Sequence, residues 1–116
     1  MTGMPDAPDD QTRTAVTQRI ANHIQRGWPG LKAPVVHHRG QFCYVAAVLT
    51  EGRNPVPVLR LRYQGSPDKW GIAIYLASDD CYSETELPTA TGPVTGTPEE
   101  GLDLTLPLHV GPVAQR

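Results

Sequence analysis

Long apolar runs are missing from this sequence of 116 residues. The longest, residues 45–49, is far shorter than the roughly 20 apolar residues that a membrane-spanning helix needs. Residues 1–10 are acidic, contain proline and lack the apolar stretch of a signal peptide. We therefore expect a chain that does not enter a membrane and that works in the cytoplasm.

Cysteine is also scarce. Cys43 and Cys81 are too few for the disulfide framework of a small secreted domain. The spacing of these thiols and of His37 and His38 matches no zinc motif, and adjacent residues on a strand point to opposite faces. We predict that the chain holds no metal ion and no cofactor.

Catalytic signatures are absent as well. No nucleophile elbow surrounds Ser66, Ser78 or Ser83. Cys43 falls in a strand-like segment, where a thiol is usually a small buried apolar group. We predict no catalytic residue, and a small metal-dependent or cysteine-dependent enzyme is kept only as a third alternative for the function.

The sequence does have the length of one domain and many residues that form turns. Its 11 glycines and 12 prolines are a larger share of the chain than is usual in globular proteins. Because 116 residues leave little room for two cores, we predict a single α+β domain over residues 11–111. Residues 1–10 are predicted to be a disordered leader, and residues 112–116 a flexible tail.

Apolar periodicity predicts one helix followed by strands. Val16, Ile20 and Ile24 recur every four residues and predict a helix over residues 11–26, with Asp10 or Thr12 as its cap. The strands that follow this helix are predicted from segments rich in β-branched and aromatic residues. The short connections between these strands favour an antiparallel meander. The four predicted strands cover residues 34–38, 41–50, 56–63 and 69–77. Residues 64–68 are predicted to form a turn.

Proline positions refine this prediction. Pro57 near the start of the third strand indicates a sheet edge or a β-bulge. Thr97 and Pro98 have the residue types of a helix cap and a first helical position, and Pro107 predicts that this helix is short or kinked. The predicted fold class is therefore α+β: an N-terminal helix packed on a four-stranded antiparallel meander sheet, followed by an irregular acidic segment with a short C-terminal helix.

Alternation along the strands predicts two different sheet faces. One face packs against the first helix, and the other presents Arg60, Arg62 and Tyr75. The residues predicted for the packed face are Leu59, Leu61, Trp70, Ile72 and Ile74. Strand 41–50 is apolar on both sides, which predicts a central strand covered on both faces and leaves its register open. That register decides whether Tyr44 and Phe42 join the arginines.

Charge is unevenly distributed along the chain. Residues 37–76 carry five basic and two acidic side chains, a net charge of +3. Residues 77–105 carry seven acidic side chains and no basic one, a net charge of −7. Either the acidic segment folds back and neutralises the arginines, which is the interpretation we favour, or each region has its own binding surface.

Two functional hypotheses of different classes follow. The first is a non-enzymatic binding or accessory domain that acts through protein contacts, with an unknown protein partner or through self-association. The second is a nucleic-acid-binding module in which Arg60, Arg62, Tyr75 and Tyr44 hold a single strand. A pI near 6.0 and a net charge of −2 disfavour the second hypothesis, because nucleic-acid-binding domains are usually basic.

Several short motifs carry a resemblance to one group of proteins. They are Arg60-Leu61-Arg62-Tyr63, Gly65-Ser66, Trp70-Gly71, Ile74-Tyr75, Ser78-Asp79-Asp80, Tyr82-Ser83-Glu84 and Gly96-Thr97-Pro98-Glu99-Glu100. In this block, roughly residues 24–105, the chain resembles a group of small bacterial α+β proteins with no assigned activity. The resemblance implies a single compact domain and implies nothing about mechanism.

Overall fold

A computed structural model describes residues 7–28, 30–49, 54–66, 68–76, 81–82 and 95–110, and it describes residues 95 and 108–110 by their backbone alone. The order of elements is helix, four strands, two short strands and a second helix. They are α1 (Asp10–Gly27), β1 (Val35–Arg39), β2 (Phe42–Ala47), β3 (Val56–Ser66), β4 (Lys69–Leu76), β5 (Cys81–Tyr82), β6 (Thr95–Gly96) and α2 (Pro98–Val110).

Helix α1 begins one residue before its predicted start. Asp9 caps it, because the Asp9 Oδ1 accepts a 2.8 Å hydrogen bond from the backbone N–H of Thr12. The predicted cap, Asp10 or Thr12, was therefore wrong by at least one position. The buried residues of α1 are the three that periodicity predicted to form its apolar stripe: Val16, Ile20 and Ile24.

The predicted antiparallel meander is confirmed for β1 to β4. Gly40 starts the two-residue turn between β1 and β2 and has a φ of 59°, a left-handed conformation that suits glycine. Strand β3 continues to Ser66, so part of the predicted turn over 64–68 is strand. Both β5 and β6 pair with β4, which adds two short strands to the predicted four.

A β-bulge sets the geometry between β2 and β3. The register shifts between Val45 and Ala46, and Pro57 lies opposite Ala46 at this irregularity. The predicted bulge at Pro57 is confirmed, although β3 is an interior strand rather than an edge. The irregularity lets an interior strand hold a residue that has no N–H to donate.

Strand β2 is an interior strand next to the edge strand β1, and only one of its faces is fully buried. Cys43, Val45 and Ala47 are inaccessible to solvent, whereas Phe42 and Tyr44 keep part of their surface exposed. The prediction that both faces of this strand are covered was wrong. The register pairs Tyr44 with Arg60 of β3, which the apolar pattern could not decide.

Helix α2 begins as its sequence predicted. The Glu100 N–H donates to Thr97 Oγ1 at 3.1 Å, and the Thr97 N–H donates to Glu100 Oε1 at 3.0 Å, which forms a capping box. The helix continues past Pro107 to Val110, and with 13 residues it is the short C-terminal helix that the sequence predicted. Gly101 lies against the sheet, where an added Cβ would come within 3.3 Å of the Ile72 side chain.

The two helices and one face of the sheet enclose the core. Neither helix combines the length and the apolar character that crossing a bilayer requires. The buried apolar residues are Val16, Ile20, Ile24, Trp28, Leu31, Cys43, Val45, Ala47, Val58, Leu59, Leu61, Trp70, Ile72, Leu102 and Leu106. Of the five residues predicted for the packed sheet face, four belong to this core, and Ile74 is partly exposed.

Candidate functional site

The other side of the sheet, which we call the outer face, brings together aromatic and basic side chains from five strands. Strand register places the residues of this face in rows: Tyr44 opposite Arg60, Phe42 opposite Arg62, and Tyr75 opposite Tyr82. The outer face consists of His37, Arg39, Phe42, Tyr44, Arg60, Arg62, Tyr75 and Tyr82. All four residues predicted for a binding site, Arg60, Arg62, Tyr75 and Tyr44, lie on it.

Its aromatic rings form a connected cluster. The ring centroids of Phe42 and Tyr44 are 6.2 Å apart, those of Tyr44 and Tyr82 are 5.4 Å apart, and those of Tyr75 and Tyr82 are 5.3 Å apart. Such tilted pairs stabilise one another beyond their buried area. Burial, with the neighbouring Tyr44, raises the pKa of the Tyr82 hydroxyl, although Arg60 opposes the shift. The cluster is therefore a neutral, partly buried platform.

Arg60 lies in the middle of this platform. Its guanidinium carbon is 4.7 Å from the ring centroid of Phe42 and 5.8 Å from that of Tyr82. These are cation–π distances, and they hold the planar group in place. The Arg60 Nε is buried and has no hydrogen-bond partner among the described residues. A buried donor without an acceptor is costly, so the position of Arg60 depends on its contacts with the two rings.

Arg62 has a different environment, although it lies on the same face. With the Gln64 amide oriented by its hydrogen bonding, the amide oxygen accepts from both Arg62 Nη atoms, at 2.8 and 2.9 Å. The Arg62 guanidinium is therefore occupied within its own strand. Arg60 and Arg62 were predicted as an equivalent pair, and the structure separates them.

A shallow depression of about 580 Å³ lies beside Arg60 on the outer face. It is lined by His37, Arg39, Tyr44, Arg60, Cys81 and Tyr82. Sequence reasoning missed four of these residues: His37, Arg39, Cys81 and Tyr82. The alternation of β1 across a two-residue hairpin turn could have placed His37 and Arg39 next to Tyr44, whereas the two residues of β5 give no periodic signal.

Where the structure shows an ion pair of a carboxylate, that pair lies on the helix side of the sheet and not on the outer face. Glu99 accepts two hydrogen bonds from Arg19, at 2.8 and 2.9 Å, and Asp103 lies 2.8 Å from His23. Asp68 also contacts Arg19 at 2.8 Å. The expectation that residues 77–105 neutralise the sheet arginines was wrong for Glu99 and Asp103 of α2, which pair with α1. Asp79, Asp80, Glu84 and Glu86 lie outside the described residues.

Both thiols are free, and strands β3 and β4 lie between Cys43 on β2 and Cys81 on β5. Burial raises the pKa of the Cys43 thiol to about 12, as expected of a small apolar core residue. Cys81 is exposed at the rim of the outer face. The question of whether they meet, which the sequence left open, is answered in the negative.

Metal-capable side chains do not converge in the described parts of the chain, where no group of three or more histidine, cysteine or acidic residues forms a cluster. His37 and His38 point to opposite faces, as predicted. His38 Nε2 lies 2.8 Å from Thr17 Oγ1 under α1, and His37 packs 6.2 Å from Tyr44 on the outer face. Burial, with the nearby Arg13 and His37, lowers the pKa of His38.

Comparisons with protein-family models, with curated proteins and with solved structures found no match for this chain. The resemblance to a group of small bacterial proteins therefore stays a prediction.

Proposed function

We propose that the chain is a non-enzymatic binding domain and that it binds a protein partner through the outer face around Arg60. The observation that carries this proposal is the state of the Arg60 guanidinium. Phe42 and Tyr82 hold its position by stacking, while its buried Nε has no acceptor in the described parts of the molecule. Arg60 is partly exposed and lines the depression, so an acceptor of the partner can reach the accessible part of its guanidinium.

The chemistry of this surface suits protein recognition. Arginine and tyrosine are the residue types that most often dominate protein–protein binding energy, and they do so in partly buried clusters. Because Arg60 is already ordered by its two rings, little side-chain entropy is lost when a partner binds. A planar guanidinium whose faces are stacked presents its N–H groups at the edge, where a carboxylate accepts two parallel hydrogen bonds. We infer an acidic side chain of the partner at this point.

Single-stranded nucleic acid is the second candidate ligand. The specific observation in its favour is that Arg39, Arg60 and Arg62 alternate with aromatic rings on one sheet face, which is the pattern that stacks bases and neutralises phosphates. The acidic pI of about 6.0 weighs against it.

Location in the cytoplasm is proposed together with this function. It is supported by two free thiols, one of which is exposed.

One experiment separates the two candidates. The purified full chain is used to capture partners from cells that express it, and the captured protein is then purified and titrated directly. In parallel, the chain is titrated with a single-stranded oligonucleotide at low and high salt. We expect a protein partner whose affinity falls in Arg60→Ala and is kept in Arg26→Ala, which removes an equal charge from the helix side.

Two outcomes would contradict the protein-binding proposal. If only the oligonucleotide binds, with an affinity that falls steeply with salt, the second candidate replaces the first. If a protein partner binds equally well to the wild type and to Arg60→Ala, the binding surface lies elsewhere on the molecule.

A further inference from the structure

Strand β1 is an edge of the sheet. It pairs with β2 on one side, and none of the described residues pairs with its other side. Its five residues contain no proline and no bulge. Two large apolar side chains among the described residues are exposed, and Val35 of β1, at 47%, is the more exposed of them. Because no proline or bulge interrupts this edge, its outward backbone groups can pair with another strand.

The hairpin turn determines which backbone groups face this edge. Arg39 lies opposite Phe42 across the two-residue turn, so these two exchange hydrogen bonds. Bonding then alternates along β1, and Val36 and His38 direct their N–H and C=O groups away from β2. Four backbone groups on these two residues are available to a neighbouring strand.

We propose that this edge binds a second copy of the chain, with the two β1 strands antiparallel and centred on His37. In this register Val36 of each copy exchanges two hydrogen bonds with His38 of the other, giving four in total. The two sheets become one continuous sheet. This proposal does not rest on the proposed function of the outer face.

Charge complementarity supports a second copy as the occupant. Helix α1 runs antiparallel to β1, because Arg13 Nη2 donates to the Gly40 carbonyl at 3.0 Å and Thr17 contacts His38. A two-fold axis at His37 therefore places the acidic start of one α1, with Asp9 and Asp10, level with Lys32 of the other copy. It also sets the two α1 dipoles antiparallel, which is favourable.

The side of α1 next to the β1 edge leaves space for this arrangement. Two depressions lie along it, one lined by Thr14, Thr17 and Gln18 and the other by Ala21 and Gln25. From residue 14 to residue 25 a helix rises about 16 Å, and the four steps of a five-residue strand span about 14 Å. Together, the two depressions are about as long as the β1 strand of the second copy that would lie beside them.

The oligomeric state and its sensitivity to one substitution test the proposal. Sedimentation velocity over a wide range of concentrations is expected to show a dimer of the wild type. Val35→Arg places like charges opposite each other, because Val35 faces Arg39 of the second copy, and it should raise the dimer dissociation constant by at least about tenfold. Leu104→Arg, a matched change on α2 at an exposed apolar residue, should leave the dimer intact.

A cross-linking variant tests the register independently of affinity. In a Cys81→Ser background, His37→Cys puts two thiols on the two-fold axis, where facing Cα atoms are about 4.5 Å apart and within disulfide range. Val35→Cys is the control, since the two residues 35 lie four positions apart, about 14 Å, and cannot form the bond. We expect a disulfide-linked dimer with His37→Cys only.

A wild-type chain that is monomeric at every concentration would overturn the proposal. Equal cross-linking by Val35→Cys and His37→Cys, or dissociation by Leu104→Arg but not by Val35→Arg, would overturn it as well.

Discussion

Arg60 and Arg62 carry the same charge on the same face of one strand, yet only one is suited to a ligand. Gln64 accepts two hydrogen bonds from Arg62, whereas Arg60 has two rings on its faces and a buried Nε without an acceptor in the described residues. The difference arises from neighbouring side chains: Gln64 lies two positions after Arg62 on β3, whereas Phe42 of β2 and Tyr82 of β5 contact Arg60. Residue type alone does not reveal it.

Thiol reactivity should differ sharply between the two cysteines. Cys81 is exposed, whereas burial raises the pKa of Cys43 to about 12, so the Cys43 thiolate is scarce at neutral pH. We expect an alkylating reagent to modify one thiol per native chain and both thiols in denaturant, as measured by mass spectrometry. Modification of Cys43 in the native protein at the rate of Cys81 would contradict this account of the core.

Two glycines should respond to alanine with opposite signs. Gly40 has a φ of 59°, so Gly40→Ala should lower the free energy of unfolding by about 1 kcal/mol. Gly27 ends α1 with nothing within 4 Å of an added Cβ, so Gly27→Ala should raise it by about 0.5 kcal/mol. Urea denaturation measures both changes. A rise in Gly40→Ala would contradict the turn conformation, and a fall in Gly27→Ala would contradict the open space at the end of α1.

At the scale of elements, the acidic start of α2 is fixed to α1. Arg19 bridges Glu99 of α2 and Asp68 of the β3–β4 hairpin, which joins three elements at one side chain. Hydrogen bonding to Glu99 raises the pKa of Arg19, and although burial alone would raise the pKa of Glu99, Arg19 holds it below the ordinary 4.5. These contacts explain why acids of α2 do not reach the outer face.

Glu99→Gln should weaken this connection in a pH-dependent way. The pair is about 30% exposed on each side, and its removal should lower the free energy of unfolding by about 1 kcal/mol at pH 7. Because the folded-state pKa of Glu99 is lowered, this stability is present above the unfolded pKa and is lost as the pH falls through the folded pKa.

Denaturation of the wild type and Glu99→Gln at several pH values checks this prediction. The difference between them should disappear in acid, well below pH 4.5. Asp103→Asn is the control, because its pair with His23 is more exposed, at 57%, and should contribute less. A difference between wild type and Glu99→Gln that persists in acid would assign the effect to packing instead of charge.

At the scale of the molecule, the sequence predicts the parts that local patterns encode. Val16, Ile20 and Ile24 predict α1, alternation predicts which face holds Arg60, and Thr97 predicts the start of α2. The register of β2 depends on the turn at Gly40, and the alternation of apolar residues contains no information about that turn. Which groups the acidic side chains of α2 pair with depends on how α2 packs against α1, because the hydrogen bond from Arg19 to Glu99 joins residues 80 positions apart.

The sequence predicts which residues form the candidate site, but it does not predict that Arg60 lies at the centre of that site. Arg60, Arg62, Tyr44 and Tyr75 share the face that alternation favours. The special environment of Arg60 depends on Tyr82, which a two-residue strand brings alongside. Short strands of this kind are stabilised by tertiary pairing alone and leave no periodic signature.

The central claim is that Arg60 contributes to binding and little to folding. Its most direct test measures two quantities for the wild type, Arg60→Ala and Arg26→Ala: the dissociation constant for the captured partner and the free energy of unfolding. For Arg60→Ala we expect the affinity to fall at least about 30-fold, and the free energy of unfolding to change by less than about 1 kcal/mol, because a cation–π contact and an unpaired buried donor are lost together. Arg26→Ala should leave the dissociation constant unchanged. Unchanged affinity in Arg60→Ala, or a loss of affinity that accompanies unfolding of the variant, would contradict the account.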